Sequence, residues 1–215
     1  MAQHEHGDAT VGATAPAAQW DARYLEHDAA MWSGRPNGRL VAEVAGLVPG
    51  RALDVGCGEG ADAIWLAQRG WAVTAVDISE VAVGRPQEAA ERAGVTVEWV
   101  CEDVLETPLP AGSFDLVSLQ YPALAKTPGE RGVRALLDAV RPGGIVLAVY
   151  HDLDDEHQEH MKAQGFDPAD YVLADDLARL LDEAFTVELH AVDARIDPPP
   201  GTPHIADVVL RARRR

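Results

Sequence analysis

The chain has 215 residues, with 18 Lys and Arg against 35 Asp and Glu and a formal net charge of -17. Binding to nucleic acid or anionic lipid draws heavily on Lys and Arg that displace counterions from phosphates, so a chain this acidic is repelled from both unless its bases are segregated. The one basic cluster, Arg211, Arg213, Arg214 and Arg215, closes the sequence and reads as a solvated end.

The length fits one α/β domain, and a hydrophobic content of 47% is enough for its core. No apolar run approaches the ~18 residues that cross a bilayer, and the start MAQHEHGDAT lacks the basic-then-apolar layout of a signal peptide, so the expectation is a cytoplasmic protein without a membrane partner. Cys57 and Cys101 make neither a disulfide framework nor a zinc motif and read as free thiols.

Residues 1–18 have no apolar period and are expected to be disordered. Trp20, Tyr24, His27 or Asp28, and Met31 then recur at helical spacing, predicting an amphipathic helix that stops before the turn-rich Ser33–Gly38. A second helix is predicted over 39–47, closed by Pro49 and Gly50. From Arg51, short Val- and Ile-rich runs alternate with helical stretches, the pattern of a parallel sheet covered on both faces. Strands are predicted at 51–56, 72–77, 96–101, 114–120 and 144–150, with helices near 60–69, 79–93 and 130–140. Pro86 removes an amide donor from the second of these helices and predicts a kink or break there. A helix at 174–184 leads to FTVELHAVDA and HIADVVLRAR, two strands joined by a proline-rich turn, which predicts an antiparallel edge and seven strands in all. The fold class is thus a doubly wound, Rossmann-like α/β sheet, mostly parallel.

The most informative segment is Leu53-Asp54-Val55-Gly56-Cys57-Gly58-Glu59-Gly60, which follows a strand and opens a helix. Glycines there let a ligand approach the backbone. A dinucleotide fingerprint is G-x-G-x-x-G, seating a pyrophosphate; this chain has G-x-G-x-G with an acid two residues ahead, which suits an ammonium group rather than a phosphate. Asp77 ends the second strand, where a carboxylate can hold a ribose diol, and Asp103 follows the third. Three strands each deliver an acid to one sheet edge, implying a ligand with a diol and cationic or donor groups. Cys57, inside the turn, reads as a small spacer, since no His stands at an activating distance.

In order and spacing, LDVGCGEG, AVDIS and CEDV, followed by FDLVSLQ and RPGG, resemble a class I S-adenosylmethionine-dependent methyltransferase over residues 51–150. The resemblance implies that Asp54 and the turn with Gly56, Cys57, Gly58 and Gly60 face the methionine end of S-adenosylmethionine. It also implies that Asp77 binds the ribose hydroxyls, that Asp103 and the Val104 amide recognise the adenine edge, that Ile78 packs on the adenine and that Gln120 lies beside the methionine portion. Upstream, Trp20 to Tyr24 and Met31 to Asn37 resemble the amino-terminal lid of methyltransferases of the tellurite-resistance and thiopurine type, which implies that Trp32 borders the cofactor. The domain reading is then a tail (1–18) and a single methyltransferase domain (19–215), divided into a helical lid (19–48), a cofactor-binding core (51–150), and a substrate roof with the final strands (151–215).

Methyl transfer from a sulfonium asks mainly for alignment and exclusion of water. A hydroxyl acceptor would want a general base, for which His151, Tyr121 and, from the lid, Tyr24 are the candidates. The acidic, His-containing stretch 151–160 reads as a surface helix rather than a metal site, and Gln120 stands where a catechol-type magnesium site would want a carboxylate, so no metal is expected. Gln120-Tyr121-Pro122-Ala123 does not match the Asn/Asp-Pro-Pro-aromatic motif of amino and DNA methyltransferases. A small-molecule acceptor, with no nucleic-acid partner, is the expectation. A nicotinamide-dependent oxidoreductase and a silent S-adenosylmethionine-binding domain are the alternatives.

Overall fold

The computed structural model describes residues 15–27, 30–163, 166–198, 202 and 204–215. Helix α1 (Ala15–Leu25) starts ahead of the predicted boundary at 18, with Pro16 in its first turn, where a missing amide donor is harmless. It also ends earlier than its apolar period suggests, so Met31 lies beyond it, and Asp28 lies outside the described residues. Helix α2 (Gly38–Val44) is capped by the Asn37 side chain, which accepts from the Arg39 amide.

The sheet follows in chain order. Strand β1 (Arg51–Val55) leads to helix α3 (Ala61–Gln68) and strand β2 (Ala72–Asp77). Helices α4 (Glu80–Gly84) and α5 (Gln87–Arg92) are two pieces separated at Arg85 and Pro86, the break that the proline predicts. Strand β3 (Glu98–Cys101), strand β4 (Phe114–Gln120), helix α6 (Arg131–Ala139) and strand β5 (Val140–His151) complete the parallel part. Strand β5 begins before the predicted 144, because Val140 already pairs with Phe114 across an irregularity that skips to Leu116 and Ile145. Helix α7 (Asp155–Ala163) covers the acidic stretch. Helix α8 (Ala174–Leu180) stops short of the predicted 184, since Asp182 accepts the Ala184 amide through its side chain and the Phe185 amide through its carbonyl. Strands β6 (Phe185–Ala194) and β7 (Ala206–Arg214) form the antiparallel end.

Seven strands run in the order β3-β2-β1-β4-β5-β7-β6, with β7 antiparallel to both β5 and β6. Alternate residues feed two apolar layers. Leu53, Val117, Leu119 and Val146 face α6 and α8 with Leu136 and Leu177, while Ala52, Leu116 and Leu147 face α2 and α3 with Leu40, Trp65 and Leu66. Both faces are thus covered, which is why these strands read as continuous apolar runs. Strand β6 is exposed along nearly its whole length and pairs on one side only. No helix among the described residues is long and apolar enough to cross a membrane.

The chain order reverses between β1 and β4. Connections leave these neighbouring strands in opposite directions, opening a crevice beyond their carboxyl ends, where open α/β sheets bind ligands.

Candidate functional site

That crevice is a cavity of about 580 Å³. One end is the turn after β1. The Gly56 and Cys57 amides both donate to the Val76 carbonyl, at 2.8 and 3.0 Å, and Gly56, Gly58 and Gly60 all have positive φ. At Gly56 (φ +67°) a Cβ would meet no protein atom within 4 Å, so that backbone stands open to the cavity. At Gly60 (φ +75°) a Cβ would collide with Trp99 and Pro86, so there the missing side chain permits close packing.

Acidic side chains gather around this turn. Asp77 lines the cavity and accepts the Gly58 amide at 2.8 Å and the Ser79 amide at 2.9 Å. Asp54 is placed differently from the expectation. It is buried behind the turn rather than lining the cavity, receives the Ala63 amide, and leaves Oδ2 without a partner. Asp62 instead lines the cavity, and its Oδ1 accepts the Asn37 amide at 2.6 Å. Burial pushes the Asp62 carboxyl up to about 6, and burial followed by the charges of Asp62 and Asp77 pushes Asp54 well above the carboxylate range. Asp77 is raised by burial too, in spite of the amides it accepts. A cation placed here would relieve that repulsion, and a phosphate would add to it.

The cavity continues past Ile78 to Asp103, Val104 and Leu105, an apolar slot with a carboxylate at its rim; Asp103 accepts the Leu105 amide at 2.9 Å. Gln120 lines the other side, donates to the Ser118 hydroxyl at 3.1 Å and leaves Oε1 buried and unpartnered. Every residue proposed from sequence for the cofactor, apart from Asp54, therefore lines one cavity. The surroundings fit an elongated ligand with a cationic end, a diol and a flat ring. The Cys57 thiol is pushed well up by burial and then by Asp54 and Asp77, which suits a spacer and not a nucleophile.

The segment between α1 and α2 is fastened by two residues to which sequence reasoning gave no role. Glu59 accepts the Met31 amide at 3.0 Å and the Trp32 amide at 2.9 Å, and pairs with Arg85 at 2.7 Å. Arg85 also donates to the carbonyls of Tyr24 and His27, at 2.8 and 2.9 Å. Burial would raise the Glu59 carboxyl, but the two amides and Arg85 hold it below its ordinary value. Trp32 donates through Nε1 to the Tyr24 hydroxyl at 3.1 Å, and Asp21 accepts from the Ser79 hydroxyl at 2.6 Å, so α1 is tied to the start of α4.

The far end of the cavity lies beyond β4 and β5. Tyr121, at φ +51°, donates its hydroxyl to buried Asp207 at 3.0 and 3.1 Å. Its ring stacks on His151 at 4.1 Å, and His151 stacks on His204 at 4.4 Å. Burial and then the neighbouring His204, Arg195 and His157 push His151 down to about 3, so it is a neutral imidazole at ordinary pH. Tyr121 is raised, by burial first and by Asp207, and Tyr24 is raised to about 12 by burial, so both phenols stay protonated. None of the three candidate bases is therefore poised near neutrality. Leu153, Met161, Phe166 and Tyr171 also line the cavity. Among the described residues no three His, Cys, Asp or Glu side chains converge as a metal site requires; the side chains of Glu156 and His160 lie outside them.

Residues 52–144 match the family model described as "Methyltransferase domain". The chain is 32% identical over 164 residues to the 27-O-demethylrifamycin SV methyltransferase of Amycolatopsis mediterranei, covering 60% of each. It is 33% identical over 138 residues to the tRNA 5-carboxymethoxyuridine methyltransferase of Escherichia coli K12, covering 60% of this chain and 50% of that protein. The chain thus spans half to three fifths of the length of these curated relatives. A solved structure reported under "Conversion of a Disulfide Bond into a Thioacetal Group during Echinomycin Biosynthesis" superposes with a TM-score of 0.71 and 26% identity, over 93% of this chain and 92% of that one.

Proposed function

Because the chain belongs to the class I S-adenosylmethionine-dependent methyltransferases, we propose that it transfers the methyl group of S-adenosylmethionine to a small-molecule acceptor. The observation that carries this reading is the convergence, on one cavity at the sheet's switch point, of the glycine turn, the acids Asp62, Asp77 and Asp103, and a lid and roof that close over them. The cofactor supplies an electrophilic methyl group on a sulfonium.

The protein's own residues then have distinct tasks. Asp62 and Asp77 give the turn a negative potential that favours the cationic end of the cofactor. Asp77 is held by the Gly58 and Ser79 amides in position for the ribose, and Ile78, Val104 and Leu105 flank the adenine. Trp32 and Tyr24, clamped through Glu59 and Arg85, cover the turn and exclude water. His151 and Tyr121 shape the acceptor end rather than take a proton, which favours an acceptor that ionises on its own, such as a thiol, or one that attacks as a neutral amine.

A chamber bounded by lid and roof, in a chain of charge -17, supports a small molecule over a nucleic acid. The resemblance of the lid to tellurite-resistance and thiopurine methyltransferases puts thiols and chalcogen compounds first among acceptors. The test is release of S-adenosylhomocysteine from a panel of thiols, amines, phenols, carboxylates and tRNA. Transfer to tRNA alone would sink the small-molecule reading. Cofactor binding with no transfer to any acceptor would mark a silent binding domain, and stabilisation by NAD but not by S-adenosylmethionine would mark an oxidoreductase.

A further inference from the structure

The cavity wall carries both signs of charge: Asp62 and Asp77 stand at the turn, and Arg195 follows β6. Three arginines line the cavity: Arg35 pairs with Asp197, Arg23 of α1 lies over the Trp20 and Phe166 rings, and Arg195 stands beside Tyr121. The Arg195 guanidinium has no carboxylate partner and no side-chain hydrogen bond among the described residues, although the chain holds 35 acids. The guanidinium carbon lies 4.9 Å from the centroid of the Tyr121 ring. Buried Asp207 is engaged by the Tyr121 hydroxyl through both oxygens. A half-buried fork of five donors facing a cavity is the arrangement that grips a carboxylate in bidentate fashion.

Flat groups continue from Tyr121: Tyr121, His151 and His204 form a stack at spacings of 4.1 and 4.4 Å. Resting on the methyl-transfer reading, we infer that Arg195 anchors a carboxylate on a flat, aromatic acceptor, whose ring lies along the Tyr121–His151 stack. The cationic cofactor end then goes to the carboxylates of the turn, and the acceptor's anion to Arg195. Beyond burial, Arg195 also helps to push the His151 and His204 imidazoles down.

The probe is 2-naphthoate against its neutral isostere 2-naphthamide, titrated by calorimetry into the protein loaded with S-adenosylhomocysteine. The expected result is naphthoate binding tighter by about tenfold or more, the size of one charge-assisted hydrogen bond. In Arg195→Gln that preference should vanish with S-adenosylhomocysteine affinity unchanged. Arg195→Lys, which keeps the charge and loses the fork, should retain part of it. Equal binding of the two probes, or a preference that survives in Arg195→Gln, overturns the inference. So does a loss of S-adenosylhomocysteine affinity in Arg195→Gln, which would assign the arginine to the cofactor's own carboxylate. Failure of the wild-type protein to bind S-adenosylhomocysteine would instead refute the methyltransferase reading itself.

Discussion

Two glycines of one turn should fail in opposite ways when changed to alanine. At Gly60, φ is +75° and the new Cβ would lie 2.5 Å from a Trp99 ring carbon and 2.7 Å from Pro86 Cβ. Left-handed backbone costs an alanine about 1–2 kcal/mol, overpacking adds about 1–3 kcal/mol, and the stiffer unfolded chain returns about 0.4–1 kcal/mol. The net loss for Gly60→Ala is about 1–4.6 kcal/mol, or roughly 2–18 °C in melting temperature for a chain of this size. At Gly56 the φ of +67° is similar, but the Cβ meets nothing within 4 Å. Gly56→Ala should therefore lose only about 1 kcal/mol of stability while placing a methyl group where the cofactor approaches the backbone. Thermal melts of the free proteins, paired with calorimetric titration of S-adenosylmethionine, separate the two effects. Equal melting shifts, or wild-type cofactor affinity in Gly56→Ala, would refute the assignment of Gly60 to packing and Gly56 to the ligand.

Asp62 gives a pH dependence with a definite sign. Its folded carboxyl is raised to about 6, so the native state holds its proton longer than the unfolded chain, and the stability this contributes at low pH is lost as pH rises through 6. Cofactor binding wants the ionised form, so S-adenosylmethionine should bind about tenfold more weakly at pH 5 than at pH 7.5, and its stabilising effect on the melt should grow over the same window. A binding constant flat from pH 5 to 7.5 would contradict this. Glu59→Gln removes the charge that holds Arg85 and weakens the grip on the Met31 and Trp32 amides; stopped-flow release of S-adenosylhomocysteine should quicken by about tenfold, with little change in melting temperature. His151, pushed down to about 3, should contribute no inflection between pH 5 and 8, so His151→Gln should leave the shape of the pH–rate profile intact once an acceptor is in hand.

The sheet was legible because its signals are local. The Val- and Ile-rich runs are strands buried on both faces, and the proline-rich link before His204 left the last two strands no helix with which to cross over in parallel. The errors fall where a distant contact or a side-chain turn overrides a local pattern. Met31 continues the apolar period of α1, yet the helix stops at Leu25 and the Met31 amide is claimed by Glu59, 28 residues away in sequence. The tail of α8 continues a helical pattern that the Asp182 turn ends.

The same division runs through the site. Asp77, Ile78, Asp103 and Val104 could be read because a strand's end fixes where its next residue points. Asp62 was hidden because an acid in the first turn of a helix already has an ordinary explanation in the helix dipole. Arg85 was hidden by a different cause, although the sequence flagged its neighbourhood. The break at Pro86 first stands as a local rule broken without a reason. In the structure the break ends α4 at Gly84, puts the Pro86 ring against the floor of Gly60, and leaves Arg85 to reach Glu59 and the carbonyls of Tyr24 and His27. Arg85 and Pro86 both keep right-handed helical dihedrals, so the proline interrupts the helical hydrogen bonds without turning the chain away from the glycine turn. Its cost to the helix is offset by the packing of its ring beneath Gly60, a position where any side chain would collide with it.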